Sequence, residues 1–167
     1  MNVRPARPED ARQIAEIHVE TWRATYPGVM PQSVLDALSV DDRERNWQEW
    51  IPHPETAAFV AELDGRIVGF VNVGPCWTDP AIGELYAIYV VPEAHGRGAG
   101  PALMDAAVRA LSERWDEAML WVATENPRAR RFYERCGWIV DGERVDESIP
   151  GASVAETRYR LSGLARR

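Results

Sequence analysis

The sequence predicts an α/β protein built on one mixed sheet. Three observations carry that prediction. Apolar residues recur at helical spacing from Pro8 to Tyr26; the turn Asp64-Gly65 joins two strand-like runs, TAAFVAEL and RIVGFVNVG; and the strand IGELYAIYVV passes through three closely spaced glycines into a helix.

The elements follow in order. A short strand is expected around Asn2 to Pro5. The helix from Pro8 to Tyr26 has Glu9 and Asp10 in its first turn and sets Ile14, Ile17, Thr21 and Trp22 along one face. YPGVMP breaks it, and QSVLDAL and DDRERNWQEWI predict two further helical pieces before Pro52 and Pro54. The hairpin over TAAFVAEL, Asp64-Gly65 and RIVGFVNVG comes next, because Asp-Gly is a preferred two-residue turn. IGELYAIYVV, rich in β-branched and aromatic residues, ends at Pro92. GPALMDAAVRALSERW carries Leu103, Ala107, Val108 and Leu111 on one face, and EAMLWVAT is an apolar strand. NPRARRFYERCGW concentrates helix signals: Asn126 as N-cap, Pro127 at the first helical position, Gly137 where a left-handed residue ends the helix. WIVDG and SVAETRYRL close the chain as strands. No internal repeat or low-complexity linker divides it, so residues 1–167 are expected to form one domain.

Composition narrows the function. The chain has 46% hydrophobic and 27% charged residues, a globular balance. Its net charge of −7 argues against nucleic acid as a ligand and leans toward a cationic or amine-bearing partner. Cys76 and Cys136 have no metal-type spacing to each other or to the three histidines, so no metal site is expected and a reducing cytoplasm is. Neither a secretory leader nor a membrane span is read from the sequence.

The stretch VVPEAHGRGAGPALM holds the main chemical signal. Between a strand and a helix it places Gly96, Gly98 and Gly100, where the first helical amides lack partners and the helix dipole is positive. Glycines clear the side chains that would hold a phosphate away, and hydrogen bonds to a charged group contribute ~1.5–3 kcal/mol each. The spacing fits neither a dinucleotide fingerprint, since Pro101 stands three after Gly98, nor a P-loop, since no Gly-Lys-Ser/Thr follows.

These residues resemble the GNAT superfamily of N-acetyltransferases, whose acetyl-CoA signature is Gln/Arg-x-x-Gly-x-Gly/Ala after a strand with a Val-x-Pro-like end. Here the chain reads Val90-Val91-Pro92, then His95-Gly96-Arg97-Gly98-Ala99-Gly100. NPRARRFYERCGW is similar to the family's second motif, and the element order matches over nearly the whole chain. The resemblance implies a mostly antiparallel central sheet with a β-α-β acetyl-CoA-binding unit, and acetyl transfer from acetyl-CoA to a primary amine. It implies cofactor contacts at Ile88, Tyr89, Val90, at His95, Gly96, Arg97, Gly98, Ala99, Gly100 and Pro101, and at Asn126. His95 stands where the family usually has Gln or Arg, and Pro101 removes one amide. Similar proteins are often homodimers.

The reaction requires a base. An amine with pKa about 10.4 is neutral only about once in 2,500 at neutral pH, a handicap of ~4.6 kcal/mol. The resemblance points to Glu84 as general base, directly or through water, and to Tyr133 as partner of the departing thiolate. Strand alternation sets Glu84, Tyr86 and Ile88 on one face. Asp79 and Glu20 are weaker candidate bases, and His18 and His53 read as surface or helix-face residues. Trp22, Tyr26 and Trp77 are expected at the acceptor, with Trp47 and Trp50 as further candidates. A non-catalytic CoA-binding or sensory module on the same fold is the alternative reading.

Overall fold

An ion-pair knot starts the fold. β1 (Asn2–Pro5) is followed by a 3-10 turn and α1 (Ala11–Thr25), in a computed structural model that describes residues 1–167. Asp10, almost fully buried at this junction, accepts from the Arg7 amide at 2.8 Å and from the Arg4 guanidinium at 2.7 and 3.0 Å. The Arg4 hydrogen bonds hold the Asp10 carboxyl below the usual aspartate range. Arg4 reaches on to Glu62 in β2 (Ala57–Leu63), tying the helix entry to the sheet.

α1 buries Ile14, Ile17 and Thr21, as its spacing predicts. α2 (Gln32–Asp36) and α3 (Val40–Trp50) follow, the latter capped by the Ser39 hydroxyl, which accepts from the Asp42 amide at 3.2 Å. β2 turns into β3 (Arg66–Pro75) through Asp64 and Gly65, both at positive φ (51° and 78°), as a type I′ turn requires. Then come β4 (Gly83–Val90), α4 (Ala99–Ser112), β5 (Glu117–Ala123), α5 (Pro127–Arg135), β6 (Ile139–Asp146) and β7 (Val154–Ser162).

The seven strands form one mixed sheet in the order β1-β2-β3-β4-β5-β7-β6, antiparallel everywhere except between β4 and β5. α1 and α3 cover one face over β3 and β4, where Trp47 and Phe70 meet edge to face. α4 covers the other face, and α5 lies beside it: a Cβ on Gly100 would lie 3.4 Å from the Phe132 ring. A second, smaller core joins Tyr26, Met30 and Leu35 to Ala123, Ala152 and Val154, so the α1–α2 loop reaches across to the ends of β5 and β7.

Two irregularities shape the centre. β4 and β5 pair at Gly83–Ala118 and Glu84–Met119 only, and then diverge. Just beyond, Asn72 of β3 faces Ala87 whereas Val73 faces Leu85, which leaves Tyr86 as the extra residue of a β-bulge. Gly74 makes room for it: a Cβ there would lie 2.7 Å from the Tyr86 hydroxyl. The bulge overturns the expected alternation. A Cβ on Gly83 would strike Leu111, and Val90 lies with Leu103, so both face α4 although they stand an odd number of positions apart. Glu84 therefore shares the α1 face with Tyr89, and Ile88 lies on the opposite face with Val90.

Candidate active site

The divergence of β4 from β5 leaves main-chain groups free. The Val91 amide donates to the Val68 carbonyl at 2.9 Å, and Val90 is registered with Gly69. Alternation along an antiparallel ladder then turns Tyr89 toward β3 and turns the N–H and C=O groups of Ile88 and Val90 toward the gap, where no ladder partner stands. Of the three residues expected to offer main-chain groups, Ile88 and Val90 do so and Tyr89 does not. His95 sits 2.8 Å from the Val90 carbonyl through Nε2. A carbonyl only accepts, so Nε2 carries the proton, and the imidazole fastens the glycine loop to the end of β4.

Above the gap, Gly96 and Gly98 have φ of 76° and 90°, and a Cβ on either would meet nothing within 4 Å. These are the positions where glycine is required. Gly98 caps α4, whose first closing hydrogen bond runs from the Ala102 amide to the Gly98 carbonyl. The amides of Gly96, Gly98, Ala99 and Gly100 have no acceptor in the protein, and Pro101, next in the first turn, has no amide to leave unpaired. Arg97 projects outward, 3.9 Å from Asp64 of the hairpin turn. Asn126 caps α5, its Oδ1 accepting from the Ala129 amide at 3.1 Å.

Glu84 is half-buried at the last β4–β5 pair. Burial raises its pKa, against the opposing pull of the Trp77 amide and the Cys76 thiol. Tyr133 of α5 is 7% exposed, and burial pushes its phenol well above the ordinary value. Its hydroxyl has no hydrogen-bond partner in the protein. Tyr159, whose ring lies 6.1 Å away, differs: its hydroxyl donates to Glu134 at 2.7 Å and accepts from Arg130 at 3.2 Å. Of the two tyrosines, Tyr133 is the one with a donor to spare.

The expected acceptor residues are distributed unevenly. Trp22 donates to the Tyr89 hydroxyl at 3.0 Å and meets Tyr26 edge-on at 5.2 Å. Tyr26 is buried, whereas Trp77 is 85% exposed on the β3–β4 loop. Trp47 is core, and Trp50 lies at the surface end of α3. Among the weaker bases, Glu20 lines a separate cleft of about 250 Å3 with Glu16, Glu93 and Arg97, and exposed Asp79 accepts from the Ala81 amide.

Several residues escape sequence reasoning. His18, read from the sequence as a surface or helix-face residue, is buried among Trp22, Trp47, Phe70 and Tyr89, with its pKa pushed down to about 3 chiefly by burial, so it is neutral. Its position on the same helix face as Ile14 and Thr21 is the signal that could have placed it inside. Glu156 of β7 is half-buried with a raised pKa, again chiefly from burial, and Arg144 of β6 binds it at 2.6 Å while covering the Trp121 ring at 4.1 Å. The register partner of Glu156 on β5 is Ala123, at the end of that strand.

Comparison with known proteins agrees with this fold. A GCN5-related N-acetyltransferase from Rhodopseudomonas palustris superposes with a TM-score of 0.78 at 24% identity, covering 96% of this chain and 94% of its own. The PaiA N-acetyltransferase from Thermoplasma acidophilum, solved in complex with coenzyme A, gives 0.72 at 19% identity over 95% and 98%. In sequence, the uncharacterized N-acetyltransferase YuaI from Bacillus subtilis (strain 168) is 34% identical over 98% of this chain and 91% of its own. The model of the Acetyltransferase (GNAT) family matches residues 12–138, and the chain belongs to that family.

Proposed function

We propose that this protein transfers the acetyl group of acetyl-CoA to a primary amine, with Glu84 as general base and Tyr133 as hydrogen-bond donor to the leaving sulfur. One observation carries the reading: the unpaired strand edge at Ile88 and Val90 leads, through a loop fastened back to Val90 by His95, to the unpaired amides of Gly96, Gly98, Ala99 and Gly100. The amides at the start of α4 fit a pyrophosphate, because donors and dipole both favour an anion there. The edge at Ile88 and Val90 fits the amides of a pantetheine arm laid down as an added strand. Because His95 engages the Val90 carbonyl, the Val90 amide and the Ile88 pair are the groups left for that arm. Pro101 presets the first turn of α4.

When bound, acetyl-CoA supplies a thioester whose carbonyl carbon a neutral amine can attack. The chain supplies the proton management. Glu84 accepts the ammonium proton, directly or through a water, and its burial makes it a stronger base than an exposed glutamate. Tyr133 keeps its proton because its pKa is raised, and so donates a hydrogen bond toward the sulfur as negative charge grows there. With a free phenol near pKa 10 and a thiol near 8.5, full transfer is uphill by about 2 kcal/mol, which favours stabilisation first and proton transfer late. Trp22, Tyr26 and Trp77 border the acceptor side. We further read residues 1–167 as one domain acting in the cytoplasm, with a homodimer as the assembly to test.

The test is direct. The purified protein is incubated with acetyl-CoA and a broad amine panel, and released thiol is followed while calorimetry reports CoA binding. Binding together with amine-dependent thiol release is expected. Absence of CoA binding overturns the proposal, and binding without turnover on any amine makes the protein a non-catalytic CoA module instead.

A further inference from the structure

Five arginines are half-buried: Arg4, Arg43, Arg130, Arg158 and Arg160. Four of them are fully engaged, Arg4 with Asp10 and Glu62, Arg130 with Tyr159, and Arg158 and Arg160 with Asp141. Arg43 has no side-chain hydrogen bond and no ion pair. The acidic residues around it on α3 are taken: Asp41 and Glu44 bind Arg12, and Asp42 binds Arg45. Its guanidinium lies over the Trp22 ring, 5.4 Å from the centroid, and burial lowers its pKa. A half-buried guanidinium with no protein anion bound to it keeps its five N–H donors for water or for an incoming anion.

Its surroundings say where such an anion would sit. Trp22, beneath Arg43, donates to Tyr89, and Tyr26 meets Trp22 edge-on. His18, which meets Trp22 edge-on and stacks on Tyr89, is neutral and brings no competing charge. Arg43 thus stands on the α1 face of the sheet, the face that holds Glu84, and on the acceptor side of the proposed path.

We infer that Arg43 binds a carboxylate carried by the acceptor, so that the acetylated amine belongs to an amino acid or another amino-carboxylate. This rests on the transferase reading above. It runs against the overall charge of −7, which alone favours cationic amines. A guanidinium grips a carboxylate through two parallel N–H donors, and that geometry would fix the far end of the acceptor while its amine meets Glu84.

The test uses matched acceptors: α-amino acids and the ω-amino acids from glycine to 6-aminohexanoate, each against its carboxamide. For the preferred chain length the carboxylate form is expected to exceed its amide at least tenfold in kcat/KM. Arg43→Gln should collapse that ratio toward one through KM, and Arg43→Lys should retain part of it. Calorimetry of the N-acetylated carboxylate product supplies a readout independent of turnover, with binding expected in the native protein and lost in Arg43→Gln. Acetyl-CoA affinity and circular dichroism check that the variants fold, and if Arg43→Gln does not, the native ratio and Arg43→Lys decide. Preference for amides throughout, or a ratio that survives Arg43→Gln, overturns the inference and leaves the transferase reading standing. Failure to acetylate any amine overturns both.

Discussion

The two sides of the sheet are built differently. β3 is buried along nearly its whole length, between α1 and α3 on one face and α4 on the other, with Phe70 fully enclosed. β6, at the far edge, is mostly exposed: Ile139, Val140 and Val145 face solvent, and Arg158, Arg160 and Asp141 form an ionic mesh over the neighbouring strand. The first region is held by packing and the second by its ladder and surface pairs, which are individually weak. Glu84 and the free strand edge lie at the seam between them, where β4 and β5 share two register pairs. The buried strand β3, paired with β4, gives that seam one firmly packed side.

The contrast can be broken at its strongest point. Phe70→Ala should cost about 3–5 kcal/mol in a urea titration, because the surrounding helices cannot collapse into the space. Tyr133→Phe should leave the urea midpoint unchanged, since its hydroxyl bonds to nothing in the protein, yet lower turnover about a hundredfold, or ~2.7 kcal/mol. Stability and rate would then separate at the seam as they do not in the core. Glu84→Gln should cause a similar loss, read best from the pH profile. The base must be ionised, and its pKa is raised, so turnover in the native protein falls with decreasing pH at a midpoint above the ordinary glutamate range. That limb should vanish in Glu84→Gln. Gly98→Ala should strain the loop by about 1–2 kcal/mol at φ 90°, raising the KM for acetyl-CoA roughly tenfold. At the exposed edge, Val145→Ala should change stability by no more than ~0.5 kcal/mol.

Much of the fold was legible because its signals are local. The Asp64-Gly65 turn, the caps of α5 at Asn126 and Gly137 and the periodicity of α1 each depend on a few neighbouring residues, and each stands where expected. The amides of the glycine loop belong to the same class. What escaped depends on distant chain segments. The bulge at Tyr86 is set by register against β3 and by the space at Gly74, neither visible within IGELYAIYVV. His18 is an interior residue because Trp47, Phe70 and Tyr89 close over it. The isolation of Arg43 is visible only once Asp41, Asp42 and Glu44 are seen bound to other arginines.

The extra residue at Tyr86 has a consequence for how this segment tolerates change. Because one additional residue sets which side of the sheet each later position occupies, the number of residues from Gly83 to Val90 is under tighter constraint than their identity. Exchanging one side chain for another there alters a contact. Removing or adding one residue reverses the phase of everything downstream, and would leave the carboxylate and the Tyr89–Trp22 pair on opposite sides of the sheet, with every functional group still present in the chain.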